Sequence, residues 1–369
     1  MSVHERALRP DDRHAAVSRA GQLGPPGSPR AVLVVDVHAT GMIGVIRSLG
    51  RAGYRVHAVS ADPNALGFWS RYAHVRDRHP PYDDPAFLPW LDDYVATHGI
   101  VAVVPSEGLL HALGPAYDRY APLIPDAVPY PVVQRCLSKV LTEGWLRAGD
   151  MAARAHLPPG GIIDSVDALP DRATLAAVAP PFYLKGDAGL ARTGGEAVVR
   201  RCADAETLLR EARALLPRYR ALLWQGHVTG RKVGVSLWRH RGEIVAENMT
   251  LGVHMQPHTG GMMSLRRTFW HPALLEDARR KLAALGWQGV AMMEYVWNPD
   301  TDEFWLIEMN ARYWGYLHLD LYAGKDFPAL QLAGFFGEVR RDLGPPARAA
   351  SCRHTVPGEI NYLVSWLRD

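Results

Sequence analysis

Lysine is scarce in this chain of 369 residues: Lys139, Lys185, Lys232, Lys281 and Lys325 are the five that occur, although Lys and Arg together number 41. Acidic residues number 38, and the formal charge of +3 is too small to argue for nucleic acid, all the more so without a dense basic stripe carrying interleaved aromatics. Cysteine is also rare. Cys136, Cys202 and Cys352 lie far apart without CxxC spacing, which excludes a disulfide framework and a zinc ribbon and fits a reduced, cytoplasmic compartment. No apolar run has the length of a membrane helix, so no membrane partner is expected. Arg6, Arg9 and Arg13 precede no hydrophobic region, so residues 1–29 read as a disordered leader, not a secretory signal. His254, His258 and His271 are spaced too irregularly for a metal set on one helix face.

What is present is ordinary globular material, 48% hydrophobic and 21% charged, long enough for two or three domains. Ala31–Asp36 is a continuous apolar run of the kind buried on both faces of a parallel sheet. A helical pattern from Gly41 to Gly53, a strand from Tyr54 to Ser60 and a third from Ile100 to Pro105 predict βαβ units. Gly41-Met42-Ile43-Gly44 lacks GxGxxG spacing, which argues against nicotinamide or flavin. Glu107 follows the third strand at the carboxyl-end crevice, where it reads either as a ligand contact or as a helix-start acid.

The richest stretch runs from Gly289 to Arg312, GVAMMEYVWNPDTDEFWLIEMNAR. Period-two alternation places Val290, Met292, Glu294 and Val296 on one face, Glu308 and Asn310 share a face of the next strand, and residues 298–302 form the turn. Pairing with residue numbers summing to about 602 sets Glu294 directly across from Glu308, which is unfavourable unless a cation lies between them. Asn310 adds an oxygen of the kind Mg²⁺ accepts. Upstream, the apolar strand Phe182–Leu184 ends in Lys185 and enters a glycine-rich loop with Gly189 and Gly194, a workable phosphate grip. Arg266 and Arg267 by themselves read as two exposed residues on a strand. Trp314 and Tyr316 form an aromatic wall or core packing, and residues 276–285 read as an amphipathic packing helix.

Glu308-x-Asn310-x-Arg312, preceded by Glu294, resembles the metal-binding signature of ATP-grasp ligases. The runs GGMMSLRRTFWHP, GWQGVAMMEY and FWLIEMNARYWGYLHLDLYAGKDFPALQL look like the carboxylate–amine ligase branch, often labelled carbamoyl-phosphate-synthase-large-chain-like, and the similarity spans Ala31 to Gly337. The resemblance implies an α/β and α+β fold: a parallel α/β domain over residues 30–130, a two-subdomain ATP-grasp domain over 131–340 with a lid at about 180–227, and a tail with a short helix over 341–369. It implies ATP, with Mg²⁺ (or Mn²⁺ in its place) on Glu294, Glu308 and Asn310, and with Lys139 and Lys185 on the nucleotide phosphates. Gly189 and Gly194 would belong to the closing loop, and Gln225, Gly226, His227 and Val228 to the adenine hinge. Arg312 would meet the transferring phosphoryl group and Arg267 a substrate carboxylate. The implied reaction joins a small carboxylic acid or amino acid to an amine through an acyl phosphate, with the related kinase or carboxylase chemistry and nucleotide binding without turnover as alternatives; a homo-oligomer is compatible. The usual acids in and after the hinge are absent, since Gly230-Arg231-Lys232 follow it, so no ribose ligand is named.

Overall fold

The computed structural model describes residues 29–192, 196–257 and 261–368. Residues 1–28 of the expected leader and Gly194 fall outside this set, as does His258.

The first sheet is parallel, in the order β3-β2-β1-β4, from β1 (Ala31–Val34), β2 (Arg55–Val59), β3 (Val75–Asp77) and β4 (Ala102–Val104). Val32 and Val34 enter one hydrophobic core while Leu33 and Val35 enter another, which is why this run is apolar without alternation. Helix α1 (Thr40–Arg51) follows β1, and Gly53 continues past it with φ +89. Gly41 lets this helix approach the loop after the functional hairpin, since a Cβ there would lie 2.5 Å from the Trp314 carbonyl oxygen. The order of the strands reverses between β1 and β4, so their carboxyl ends open a crevice at the switch point. Helix α2 (Phe87–His98) precedes β4, and α3 (Glu107–Leu113) begins immediately after it, capped by Ser106.

Two helices, α4 (Tyr130–Leu137) and α5 (Lys139–Ala148), lead to a small antiparallel sheet ordered β5-β8-β6-β7. Its strands are β5 (Gly160–Ile163), β6 (Phe182–Gly186), β7 (Val198–Cys202) and β8 (Leu222–Gly226). Helix α6 (Ala205–Leu215) covers one face, giving this unit its own core of Phe182, Leu184, Leu208, Ala212, Leu222 and Trp224. The sheet includes β5, so it starts ahead of the lid boundary read near residue 180.

The large sheet, β13-β12-β9-β10-β11-β14, is antiparallel. It comprises β9 (Arg231–His240), β10 (Glu243–Gln256), β11 (Met262–Thr268), β12 (Gly289–Trp297), β13 (Phe304–Asn310) and β14 (Ser351–Arg353). Val235, Leu237, Ala291, Met293 and Tyr295 on one face meet α7 (Pro272–Ala284) through Leu274, Ala278 and Leu282. The other face carries Trp238, Val290 and Met292 against α1, α8 (Leu317–Ala323) and α9 (Phe327–Phe335). That second core also takes in Val32 and Val34, so the parallel sheet and the large sheet share buried surface. Helix α10 (Ile360–Arg368) ends the described chain with no buried residue.

Candidate active site

Glu294 is paired with Glu308 across β12 and β13, and a bulge follows at once, because Tyr295 then pairs with Leu306. The register keeps both carboxylates on one face, with Asn310 opposite Met292. Such a pair would repel. Here Lys139, the first residue of α5, lies 2.6 Å from Glu308 Oε2, and Lys232 on β9 lies 2.6 Å from Glu294 Oε1. Asn310 donates to Glu308 Oε1 at 3.3 Å, and Arg312 donates to Asn310 Oδ1 at 2.9 Å. Burial works to raise the Glu308 carboxyl, but the charge and hydrogen bond of Lys139, helped by Asn310 and Lys185, hold it below its ordinary value. Burial likewise works against the charge of Lys139, and Glu308 more than restores it, leaving that ammonium above its usual range.

Lys185, next to last in β6 and alternating with Phe182 and Leu184 that pack under α6, is almost fully buried and donates to Gln225 Oε1 at 2.5 Å. Gln225 in turn donates to Glu143, one turn along α5 from Lys139, and Arg147 closes this chain of contacts on Glu143. Burial pushes the Lys185 ammonium below its usual value, with Glu308 and Glu143 opposing that shift. Asp187, two residues on, accepts from Ser138 Oγ at 2.6 Å and from the Val140 N–H at 2.9 Å, setting a carboxylate against the N-terminus of α5. Helix α5 therefore carries Lys139 and anchors the strand end that carries Lys185.

The side chain of Gln225 faces inward to Lys185, and the Gly226 N–H is taken by the Pro159 carbonyl at 2.7 Å. His227 and Val228 lie between β8 and β9, with His227 exposed. Gly189 is exposed in the turn after β6, and no atom would crowd a Cβ there.

Arg267 is exposed on the face of β11 shared with Leu251, away from Glu294. Its neighbour Arg266 is buried, lies 3.6 Å from Glu294 Oε2, donates to Thr250 Oγ1 at 3.1 Å and stacks 3.8 Å over the Tyr316 ring. Strand alternation makes these positions exclusive, and the sequence alone does not give the phase of β11. Gly234, directly opposite Glu294 on β9, makes room for the cluster: a Cβ there would sit 2.1 Å from Tyr316 Oη and 2.9 Å from Arg266 Nη1. Lys232 was also missed as a site residue; the scarcity of lysine was the signal that could have found it.

Arg312 reaches in the other direction, donating to Glu107 Oε2 at 2.7 Å. Both line a crevice of about 390 Å³ at the switch point, together with Asp36, Thr40, Ser106 and Trp314. Burial alone would raise the Asp36 carboxyl, but contacts from His79, Ser106 and Tyr82 hold it below the ordinary range. Among the described residues no group of three His, Cys, Asp or Glu is placed to hold a metal, and the oxygens to be weighed as a donor set are those of Glu294, Glu308 and the Asn310 amide. Two carboxylates and an amide leave coordination positions for water and phosphate, which fits Mg²⁺.

The chain has the ATP-grasp fold. It resembles an L-amino acid ligase from Bacillus licheniformis at 16% identity and a TM-score of 0.63, covering 89% of this chain and 80% of that one. Similar values hold for an N5-carboxyaminoimidazole synthetase from Staphylococcus aureus, at 14% identity and TM-score 0.63 with 88% and 81% covered. The biotin carboxylase domain of Hydrogenobacter thermophilus 2-oxoglutarate carboxylase, solved with MgADP, ADP and bicarbonate, gives 17%, 0.61, and 85% and 70% covered. No family model and no curated protein matches the sequence.

Proposed function

We propose that this chain is an ATP-dependent ligase that joins a small carboxylic acid or amino acid to an amine. The observation that carries the proposal is the opposed pair Glu294 and Glu308, ringed by Lys139, Lys232 and Arg266, with Lys185 near enough to feel both carboxylates. Glu294, Glu308 and Asn310 would hold Mg²⁺, which when bound supplies charge neutralisation at the β- and γ-phosphates. Lys139 and Lys185 would bind the same phosphates, and the unit at about 180–227 would close over them to keep water out.

An oxygen of the substrate carboxylate attacks the γ-phosphorus, the bond to the β,γ-bridging oxygen breaks, and ADP leaves. The amine nitrogen then attacks the acyl carbon, phosphate departs with the bonding electrons, and the amine gives up a proton. Arg312 would stabilise the transferring phosphoryl group, for which a planar fork of donors is suited. Arg266, buried beside Glu294 and held by Thr250 and Tyr316, would meet a substrate carboxylate from inside the site, and Arg267 from the exposed face of β11. The crevice lined by Asp36, Glu107 and Arg312 would admit the second substrate.

The test is a screen for ADP release with amino acids and small carboxylic acids, singly and in pairs, repeated with hydroxylamine. Acid-dependent ADP release that yields a hydroxamate supports an acyl-phosphate ligase. ATP turnover indifferent to every acid, with no hydroxamate, contradicts it.

A further inference from the structure

Both carboxylates of the site already have cationic partners. Lys232 lies 2.6 Å from Glu294 Oε1 and Arg266 lies 3.6 Å from its Oε2, while Lys139 lies 2.6 Å from Glu308 Oε2. A divalent cation approaching on its own must therefore displace an ammonium from each carboxylate and leave that ammonium without a partner. A polyphosphate reverses this condition, since it carries several negative charges and offers the displaced ammonium groups new partners.

Lys232 is placed to make that exchange. It stands opposite Val296 on the strand beside β12, reaching diagonally to Glu294, and its side chain is 25% exposed on a flexible stem. Arg266, by contrast, is buried, stacked on Tyr316 and bonded to Thr250, so it stays in place.

Resting on the nucleotide-site reading above, we infer that Lys232 makes divalent-metal binding conditional on polyphosphate. It occupies Glu294 in the empty site and turns to phosphate oxygens when metal and nucleotide enter together. Because coupling between two ligands is reciprocal, the factor by which nucleotide tightens the metal is also the factor by which metal tightens the nucleotide.

The test uses Mn²⁺ as the metal and a β,γ-imido analogue of ATP, following the water-proton relaxation enhancement that appears when Mn²⁺ is held by protein. Wild type should bind Mn²⁺ about tenfold or more weakly alone than with the analogue, a coupling in the usual range. Lys232→Gln should bind Mn²⁺ alone about tenfold more tightly than wild type, with the nucleotide-dependent gain shrinking to match. Lys232→Arg, which keeps the charge, should stay near wild type. Lys232→Met gives a second neutral variant should the first not fold, as judged by thermal melting. Unchanged or weaker Mn²⁺ binding in the neutral variants, with the full gain preserved, overturns the inference while leaving the nucleotide site intact. Failure of wild type to bind the analogue at all overturns the nucleotide-site reading and this inference with it.

Discussion

Lys139 Nζ stands 2.6 Å from Glu308 Oε2, so the first residue of a helix in one part of the chain neutralises a strand carboxylate far along the sequence. The pair joins α5 to β13, and the same helix reaches Lys185 through Glu143 and Gln225. Of the five lysines in the chain, three bear on Glu294 and Glu308, and the remaining two, Lys281 and Lys325, are paired with Asp277 and Asp342.

The Lys139–Glu308 pair should appear in the pH dependence of stability. Glu308 is lowered from 4.5 in the folded chain, so as the pH falls the unfolded chain takes up its proton first. The contribution of the pair is therefore complete above the unfolded value and is lost as the pH falls through the folded one. Lys139 is raised from 10.5, so its contribution is complete below that value and is lost as the pH rises through the folded one. Urea midpoints measured from pH 3 to 7 should fall less steeply in Lys139→Gln than in wild type. Equal slopes would mean that the two groups do not interact.

Gly234 is predicted to be intolerant of even one methyl group. Its Cβ would stand 2.1 Å from Tyr316 Oη, so Gly234→Ala should cost about 1–3 kcal/mol, as overpacking does. Tyr316→Phe removes the crowding oxygen, and the double variant should recover part of that loss in denaturant melts. Strictly additive losses would show that the contact is absent.

Asp320 supplies a second pH signature, of opposite sense. It is buried beneath the site, accepts from Asn248 at 2.5 Å and from Trp314 Nε1 at 2.6 Å, and burial pushes its carboxyl up to about 7. Between 3.8 and about 7 the folded chain keeps a proton that the unfolded chain has lost, so this group lowers stability as the pH rises through that window. Asp320→Asn should remove that downward slope, on the order of a few kcal/mol across the window. Thermal melts at pH 5 and pH 8 that change equally in variant and wild type would refute it.

Much of this was legible in the sequence because period-two alternation and turn residues fix a hairpin. The 294–308 pairing follows from them, whereas the bulge beside it depends on packing that no local pattern encodes. The unbroken apolar run of β1 likewise announced burial on both faces. Arg266 and Arg267 were indistinguishable because the phase of β11 is set by its pairing with β10, which is itself irregular between Gly252 and Met255. Strands β3, β5, β7, β10 and β14 went unread: β3, β5 and β14 have three or four residues and no marked apolar run, and β10 is buried on both faces over most of its length, so it does not alternate. Lys232 was hidden by the loop-like Gly230-Arg231 before it, and its pairing on β9 beside β12 is what brings it to Glu294.

The most direct measurement of the central claim is ADP release by Glu308→Gln, a variant of nearly equal volume whose folding is checked by its melting curve. Under the conditions in which wild type turns over ATP with its acid and amine, ADP production should fall at least about a hundredfold, the scale of losing an electrostatic group from a reacting site. Wild-type ADP production in folded Glu308→Gln would show that the paired carboxylates of the hairpin are not where nucleotide chemistry takes place.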